Sequence, residues 1–435
     1  MDLITYAIIG IVVLLVLLFF GMNIGLALGV VGFVGFWAVR DFTAAFGLLK
    51  TIPFTNAMKY SFMVIPLFVL MGQFAFHSDL SKGLFEAADK WLGRLKGGLA
   101  MATVAACAAF AAICGSTAAT AATMGVVALP EMRRHGYDDS LATGSIAAGG
   151  TLGILIPPST GFIIYGIVAE QSIGRLFAAG IFPGIVLALC YILSIAVVVK
   201  IKPQLAPSTS KYSFKEMLIS LRGVIAMVVL FLAVIGGMFV GFFTANEAAA
   251  VGAFMAFVYM IIVRKFTIQR FITCLRETVQ TSAMVFLILI GAYVFGAFLA
   301  ITRLPMRLAA YVDSLDVNRY VVLAIILILY ITLGMVMDSL AMVMLTVPIF
   351  LPIIISLGFD PIWYGVLMIM VMEMGLITPP VGMNVYIVAG VAKDVPLFTI
   401  FKGVAPMVAG IFVAIIIVIA IPQLSLFLPG IIVGT

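Results

Sequence analysis

Residues 153–166 read GILIPPSTGFIIYG, and residues 375–390 read GLITPPVGMNVYIVAG. Each stretch is apolar enough to form a membrane helix, yet each carries a glycine followed four residues later by a Pro-Pro pair. Proline removes a backbone donor and breaks a helix. The two breaks are about 222 residues apart, so they occupy matching places in the two halves of the chain. Matched breaks of this kind indicate a transporter whose binding site lies near the bilayer midplane.

A second pair of interruptions repeats at the same spacing. The apolar stretch 98–129 contains GSTAATAATMG (115–125) and is predicted to end at Pro130. The stretch 320–352 is predicted to end at Pro352, within the string MDSLAMVMLTVPIFLPI (337–353). Basic residues stand at both outer ends of the first stretch, and they favour the cytoplasmic side. We therefore expect a re-entrant helical hairpin in each half, with a non-helical tip that must be buried in protein or line a cavity.

Composition places the chain in lipid. Hydrophobic residues make up 64% and charged residues 10% of 435 residues, which is too little polar surface to cover a water-soluble protein. The net charge of +6 comes from basic residues in short loops and indicates membrane topology, with no nucleic-acid partner. The four cysteines have no metal-ligand spacing, so we expect buried structural thiols.

The predicted fold is an all-α polytopic membrane protein built from two repeats. Residues 1–200 form the first repeat, 201–222 a cytoplasmic linker, and 223–435 the second repeat. Each repeat is expected to contain a hairpin (about 98–129 and about 320–352) and a broken helix (about 141–172 and about 361–392). The remaining predicted spans are 3–20, 24–39, 61–77, 177–199, 223–243, 247–263, 280–301 and 403–425, with amphipathic arm segments at 80–96 and 302–319. Five crossings per repeat give the second repeat the opposite orientation, which predicts inverted topology.

The interruptions also carry the candidate chemistry. Unwound turns free backbone carbonyls, and Ser or Thr hydroxyls add oxygen ligands, so one cation site per repeat is plausible. Two acids fall deep in apolar segments, where a charge is costly. Asp338 is interpreted either as a cation ligand or as the N-cap of the second hairpin arm. Glu373 is interpreted either as neutralising a cation or as pairing with a donor on another helix. Helix starts at the tips and breaks would attract an anionic substrate, although such starts are also ordinary caps.

The four quoted strings together resemble the large membrane subunit of tripartite ATP-independent periplasmic (TRAP) transporters, over nearly the whole chain. The resemblance implies an elevator-type fold of the ion transporter superfamily in the bacterial inner membrane. It also implies uptake of an organic acid, of the sialic acid or C4-dicarboxylate class, coupled to Na⁺. A separate small four-helix membrane subunit and a periplasmic substrate-binding protein are the implied partners.

The resemblance also assigns residues, motif by motif. One sodium is expected at Gly115, Ser116, Thr117, Gly153 and Pro157, and the other at Asp338, Ser339, Gly375, Thr378 and Pro379. Substrate is expected between the two tips, near Ser116, Ser159, Thr160 and Asn384.

Three alternatives remain at the level of sequence. A stand-alone sodium-coupled carboxylate transporter would share this architecture and need no binding protein. A passive channel has little use for paired hairpins. An intramembrane enzyme would need a nucleophile with a base, or a metal triad, and the only two histidines lie at predicted segment ends. The sequence therefore predicts a transporter that is not an enzyme.

Overall fold

The computed structural model describes residues 2–207, 212–314 and 317–431. Within these ranges all regular secondary structure is helical, which confirms the predicted fold class. The helices of the first half are α1 Leu3–Phe19, α2 Ile24–Val39, α3 Phe42–Ala57, α4 Val64–His77, α5 Leu80–Leu92, α6 Gly98–Cys114, α7 Thr117–Arg134, α8 Asp139–Gly150, α9 Leu152–Leu155, α10 Thr160–Val168 and α11 Ile173–Ile201.

The helices of the second half follow a similar order. They are α12 Phe214–Ser220, α13 Arg222–Phe231, α14 Gly237–Phe239, α15 Ala245–Ile262, α16 Ile268–Thr302, α17 Leu304–Ser314, α18 Arg319–Gly334, α19 Ser339–Ser356, α20 Pro361–Gly375, α21 Met383–Val391, α22 Leu397–Ala420 and α23 Gln423–Ile431. A π-helical turn, Leu232–Gly236, joins α13 to α14. A shift of 222 residues carries the bounds of α7, at 117 and 134, onto those of α19, at 339 and 356.

Many of these helices are suited to a bilayer. Within the described ranges, seven helical segments of at least 18 residues are apolar enough to cross a membrane. They are Tyr60–His77, Ile173–Ile201, Phe214–Phe239, Ala245–Ile262, Ile268–Thr302, Ser339–Ser356 and Leu397–Ala420. The predicted spans 3–20 and 24–39 are apolar helices of 17 and 16 residues. The chain is therefore a multi-pass membrane protein.

The two interrupted apolar stretches form helical hairpins, and the interruption of each stretch forms the tip of its hairpin. In hairpin 1 (α6 and α7) only Gly115 and Ser116 separate the arms, and Thr103 near the start of α6 reaches Met132 near the end of α7, with 3.8 Å between Oγ1 and Sδ. In hairpin 2 (α18 and α19) the rings of Tyr320 and Phe359, at the two outer ends, lie 5.6 Å apart. The arms of each hairpin thus run antiparallel. The depth of the tips in a bilayer and the inverted orientation of the halves stay predictions.

The prolines do not end the hairpins, contrary to the sequence prediction. Pro130 lies inside α7, which continues to Arg134, and Pro352 lies inside α19, which continues to Ser356. A proline in a helix interior removes one backbone hydrogen bond, and packing against neighbouring helices tolerates that loss in a membrane protein. Each of these two helices therefore continues four residues beyond its proline.

Two further boundaries differ from the prediction. Helix α3 is not among the predicted segments, because its mixture of threonine, lysine and proline hides its apolar residues. Helix α16 starts at Ile268 rather than near 280, since Thr267 caps it by accepting a hydrogen bond from the amide of Arg270. Residues 268–279, which lie outside the predicted spans, therefore belong to a 35-residue helix.

The predicted linker packs against the arm helix α5. The Trp91 indole donates a hydrogen bond to the Met217 carbonyl at 3.1 Å, and the Tyr212 hydroxyl donates to the Asp89 carboxyl at 2.7 Å. Part of the linker is itself helical, as α12. Residues 208–211 of the linker, and 315–316 of the second arm segment, lie outside the described residues.

Glycines allow the backbones of α2 and α16 to pack in direct contact. A Cβ added at Gly25 would lie 2.7 Å from the Leu287 carbonyl carbon, and one added at Gly291 would lie 2.2 Å from the Gly25 carbonyl oxygen. The two backbones therefore touch, which is the usual way for membrane helices to pack through small residues. By contrast, a Cβ added at Gly296 of the same α16 would meet nothing within 4 Å.

We predict that Gly291→Val lowers the melting temperature of the purified protein in detergent, because overpacking costs about 1–3 kcal/mol. Gly296→Val is the matched control and should melt within a degree or two of the parent, about the change expected of a surface substitution. The measurement is a thermal unfolding scan of both variants. Equal melting temperatures would contradict this packing.

Candidate functional site

The tip of hairpin 1 packs directly on the first Pro-Pro break. Gly115 has a φ of +60°, a conformation suited to glycine. Its carbonyl accepts hydrogen bonds from Thr160, at 3.3 Å from the backbone nitrogen and 2.8 Å from Oγ1. A Cβ at Gly115 would lie 2.6 Å from the carbonyl oxygen of Pro158. The fold thus brings the two predicted interruptions of the first half into contact.

The carbonyl of Ser116, the next residue of the tip, is packed just as closely. A Cβ added at Gly153 would lie 2.5 Å from the Ser116 carbonyl oxygen, and that oxygen accepts a hydrogen bond from the Thr120 hydroxyl at 2.8 Å. Ser116 also caps α7, because its hydroxyl accepts from the Ala119 amide at 3.4 Å. The predicted residues of the first cation site therefore lie together, with Pro157 and Pro158 buried beside them.

The predicted residues of the second cation site are arranged differently. Asp338 caps α19 by accepting from the Leu340 amide at 3.0 Å, which is the capping role considered for it. Gly375 packs on hairpin 2, since its added Cβ would lie 2.7 Å from the Gly334 carbonyl carbon. The Thr378 hydroxyl donates to the Met374 carbonyl at 2.6 Å. Unlike the buried first Pro-Pro pair, Pro379 and Pro380 are exposed.

Glu373 contacts both hairpins. Its side chain is fully buried, and its two carboxyl oxygens accept hydrogen bonds from the Thr117 hydroxyl at 3.0 Å and the Ser339 hydroxyl at 3.1 Å. These hydrogen bonds agree with the interpretation in which Glu373 pairs with donors on other helices, and neutralisation of a cation stays a prediction. The sequence did not indicate that it pairs with both tips at once.

A cavity of about 460 Å³ lies beside the tips. One wall comes from the tips and the first break, through Ser116, Thr160 and Asp338. The other wall comes from α4 and α16. Its polar side chains are Gln73, Glu277 and Thr281, and apolar side chains such as Phe76 lie beside them. The volume is in the range of small-molecule sites.

Two of the four predicted substrate residues line this cavity and two do not. Ser116 and Thr160 face it. Ser159 is fully buried, donating to the Ile154 carbonyl and capping α10 at the Phe162 amide. Asn384 is also buried, and its Nδ2 donates to the Ala147 carbonyl at 3.2 Å.

The wall from α4 and α16 is absent from the sequence prediction. Glu277 falls between the predicted spans 247–263 and 280–301, because α16 begins earlier than the apolar pattern indicates. It lies 3.5 Å from the Nε2 atom of His77 at the end of α4. Recognising the Thr267 cap as a helix start would have placed Glu277 on a helix.

A larger cavity of about 600 Å³ lies at the other end of α10. Its lining includes Lys59, Glu170, Asn246 and Tyr293, and it contains none of the predicted site residues. The smaller cavity is the better candidate for a binding site, because the helix starts and acids converge on it.

An ion pair joins the base of hairpin 1 to the second half of the chain. Arg133 at the end of α7 contacts Asp139 at 2.7 Å and Asp394, in the loop after α21, at 2.8 Å. The hydrogen bond from Arg133 holds the pKa of the exposed Asp394 carboxyl below its usual value. The two halves therefore meet at the base of this hairpin as well as at Glu373.

Comparison with known proteins agrees with this architecture. The family model "Tripartite ATP-independent periplasmic transporter, DctM component" matches residues 11–424. The chain is 34% identical to the C4-dicarboxylate TRAP transporter large permease protein DctM of Pseudomonas aeruginosa, over 87% of this chain and 88% of that protein. It is 33% identical to the sialic acid TRAP transporter large permease protein SiaM of Vibrio cholerae, over 86% and 88%. It is 32% identical to the isethionate TRAP transporter permease protein DctMQ of Oleidesulfovibrio alaskensis, over 95% of this chain and 65% of that longer protein.

Two solved structures share the fold. The YdaH transporter of Alcanivorax borkumensis aligns with a TM-score of 0.60 and 16% identity, over 89% of this chain and 88% of that one. MtrF of Neisseria gonorrhoeae aligns with a TM-score of 0.51 and 16% identity, over 88% and 85%. The family match, the relatives and the broken-helix architecture agree, and the chain belongs to the DctM family of large TRAP transporter permeases.

Proposed function

We propose that this permease carries out sodium-coupled uptake of an organic acid, of the C4-dicarboxylate or sialic acid class, by an elevator mechanism. A periplasmic binding protein delivers the substrate, and a separate small membrane subunit completes the transporter in the bacterial inner membrane. The relatives named above are permeases for C4-dicarboxylates, sialic acid and isethionate, which are all small organic anions.

The charge of the tip cavity is the observation that carries the proposal. Helices α7, α10 and α19 all begin at this cavity, at Thr117, Thr160 and Ser339, so three positive dipole ends point toward it. This field suits a carboxylate.

The same cavity is lined by two carboxyl side chains, beside which a carboxylate substrate would have to bind. Its described lining contains Asp338 and Glu277 and no lysine, arginine or histidine. A carboxylate substrate and an ionised carboxyl side chain would repel each other there. A cation bound at the tips would offset this repulsion, and that requirement supports coupling of substrate to sodium.

The position of the cavity supports an elevator. It lies between α4 and α16 on one side and the tips with the first break on the other. Hairpin 1 is joined to the second half through Arg133 and Glu373, so the hairpins and broken helices can move as one body against the outer helices. Such a motion would carry the tip half of the cavity across the membrane.

A stand-alone sodium-coupled carboxylate transporter is the second candidate. It would use the same cavity, and the YdaH and MtrF likenesses show the fold alone. The binding protein distinguishes the two candidates.

We predict that proteoliposomes containing this chain and its small subunit take up labelled sialic acid or a C4-dicarboxylate only with an inward sodium gradient and the binding protein. An equal potassium gradient is the control. Uptake without the binding protein would favour the stand-alone transporter, and uptake indifferent to sodium would contradict the proposed coupling.

A second prediction separates the two roles of Asp338. Asp338→Asn keeps a side-chain oxygen able to cap α19 and removes the charge, so the cap survives. If the carboxylate binds sodium, the sodium concentration for half-maximal uptake should rise about tenfold, equivalent to about 1.4 kcal/mol.

The matched control is Asp360→Asn. Asp360 caps α20 by accepting from Ile362 and Trp363, and it lies outside the cavity. The sodium concentration for half-maximal uptake by Asp360→Asn should stay at the parent value. A normal sodium dependence for Asp338→Asn together with a defect for Asp338→Ala would show that Asp338 acts only as a cap.

A further inference from the structure

Glu373 occupies a position that no other described carboxyl group shares. It lies in the last turn of α20, with none of its side chain exposed. Its Oε2 accepts from Thr117 and its Oε1 accepts from Ser339. These two donors are the first residues of α7 and α19, where the second arms of the two hairpins begin. One side chain therefore joins the two tips.

The repeat of the chain makes this bridge asymmetric. The shift of 222 residues relates Thr117 to Ser339, so the two donors are equivalent positions. The same shift relates Glu373 to Thr151, which makes different bonds: its hydroxyl lies 2.9 Å from the Tyr191 hydroxyl and 2.6 Å from the Ala148 carbonyl. Each half thus supplies a hydroxyl, and only the second half supplies the acceptor for both.

The chemistry of the bridge makes the two tips depend on each other. A buried acceptor that loses its donor carries the full cost of desolvation. If one tip moves away from Glu373, one carboxyl oxygen loses its hydroxyl partner in a site without water exposure. The remaining bond then holds a carboxyl group whose position is less constrained. Ordering either tip therefore favours the ordered position of the other.

We infer that Glu373 is a positioning residue that couples the two tips, so that a cation bound at one tip raises the cation affinity of the other. The inference rests on the proposed sodium coupling. Glu373 acts through Thr117 and Ser339, and the coupling is an interaction free energy between two sites.

A double-mutant cycle tests the coupling. The variants are Thr117→Val, Ser339→Ala and the double variant, each made with Glu373 present and again with Glu373→Met, which removes both acceptors. Two readouts are sodium-dependent thermal stabilisation of the purified permease and the sodium dependence of uptake in proteoliposomes. Thr143→Val is the control, because this buried hydroxyl bonds only the Asp139 carbonyl of its own helix among the described partners.

With Glu373 present, either single variant breaks the bridge, so the second substitution should add little. The double variant should then shift the half-maximal sodium concentration about fivefold less than the product of the two single shifts, as for residues in one network. With Glu373→Met the two shifts should multiply, and the slope of the sodium dependence should fall to that of independent sites. Thr143→Val should match the parent.

Three results would overturn the inference. If, with Glu373 present, the double variant shifts the half-maximal sodium concentration by the product of the two single shifts, the tips are independent. Loss of sodium dependence in Glu373→Gln, with parental behaviour of both hydroxyl variants, would make the carboxyl group itself a cation ligand. Parental slope and affinity in Glu373→Gln and Glu373→Met would also contradict a coupling role.

Two provisions keep these results interpretable. If Glu373→Met fails to fold, the cycle with Glu373 present and the Glu373→Gln variant, which keeps one acceptor oxygen, still decide the question. Sodium-independent behaviour of the parent would contradict the proposed function itself. Normal sodium dependence with independent tips would contradict only the role of Glu373.

Discussion

A backbone polar group inside a bilayer has no water to bond, and this constraint governs the interrupted segments of the permease. Each helix that breaks must find partners for the donors and acceptors that the break exposes. At the first tip, Thr160 bonds the Gly115 carbonyl and Thr120 bonds the Ser116 carbonyl. Side chains at the helix starts satisfy the amides, as Ser116 and Asp338 do for α7 and α19. The breaks are thus held by short side chains that also present oxygen atoms to a cavity.

The hydrogen bonds made at the helix breaks also bring the functional groups together. Because hairpin 1 bonds the first Pro-Pro segment, the starts of α7 and α10 meet at one cavity, and hairpin 2 adds the start of α19. Three helix starts and two carboxyl side chains therefore lie at one small cavity. Glu373 then ties the two tips with hydroxyl bonds from both halves. The same contacts that keep the broken helices stable in lipid provide a route by which the two halves act together.

The pattern of the sequence predicted the interrupted segments well and the uninterrupted ones less well. Glycine, proline and serine mark a break directly, so the helices are interrupted at the predicted tips, by residues 115–116 in hairpin 1 and 335–338 in hairpin 2. Helix ends depend on caps and packing that hydropathy does not register. Pro130 and Pro352 therefore lie within helices, and α16 starts twelve residues before its apolar stretch. The misplaced start of α16 also concealed Glu277 and with it one wall of the cavity.

The sequence by itself determined that the chain is a helical membrane protein with matched breaks in two halves, because hydropathy and the placement of glycine and proline are local properties. It also identified Glu373 as a costly acid at depth. Only the tertiary structure decided which oxygens meet. Thr117 and Ser339 are 222 residues apart in the chain, and Glu373 is adjacent to neither in sequence. Hydrogen bonds act over about 3 Å, so the partners of a buried carboxyl group depend on how the helices pack, which no local pattern encodes.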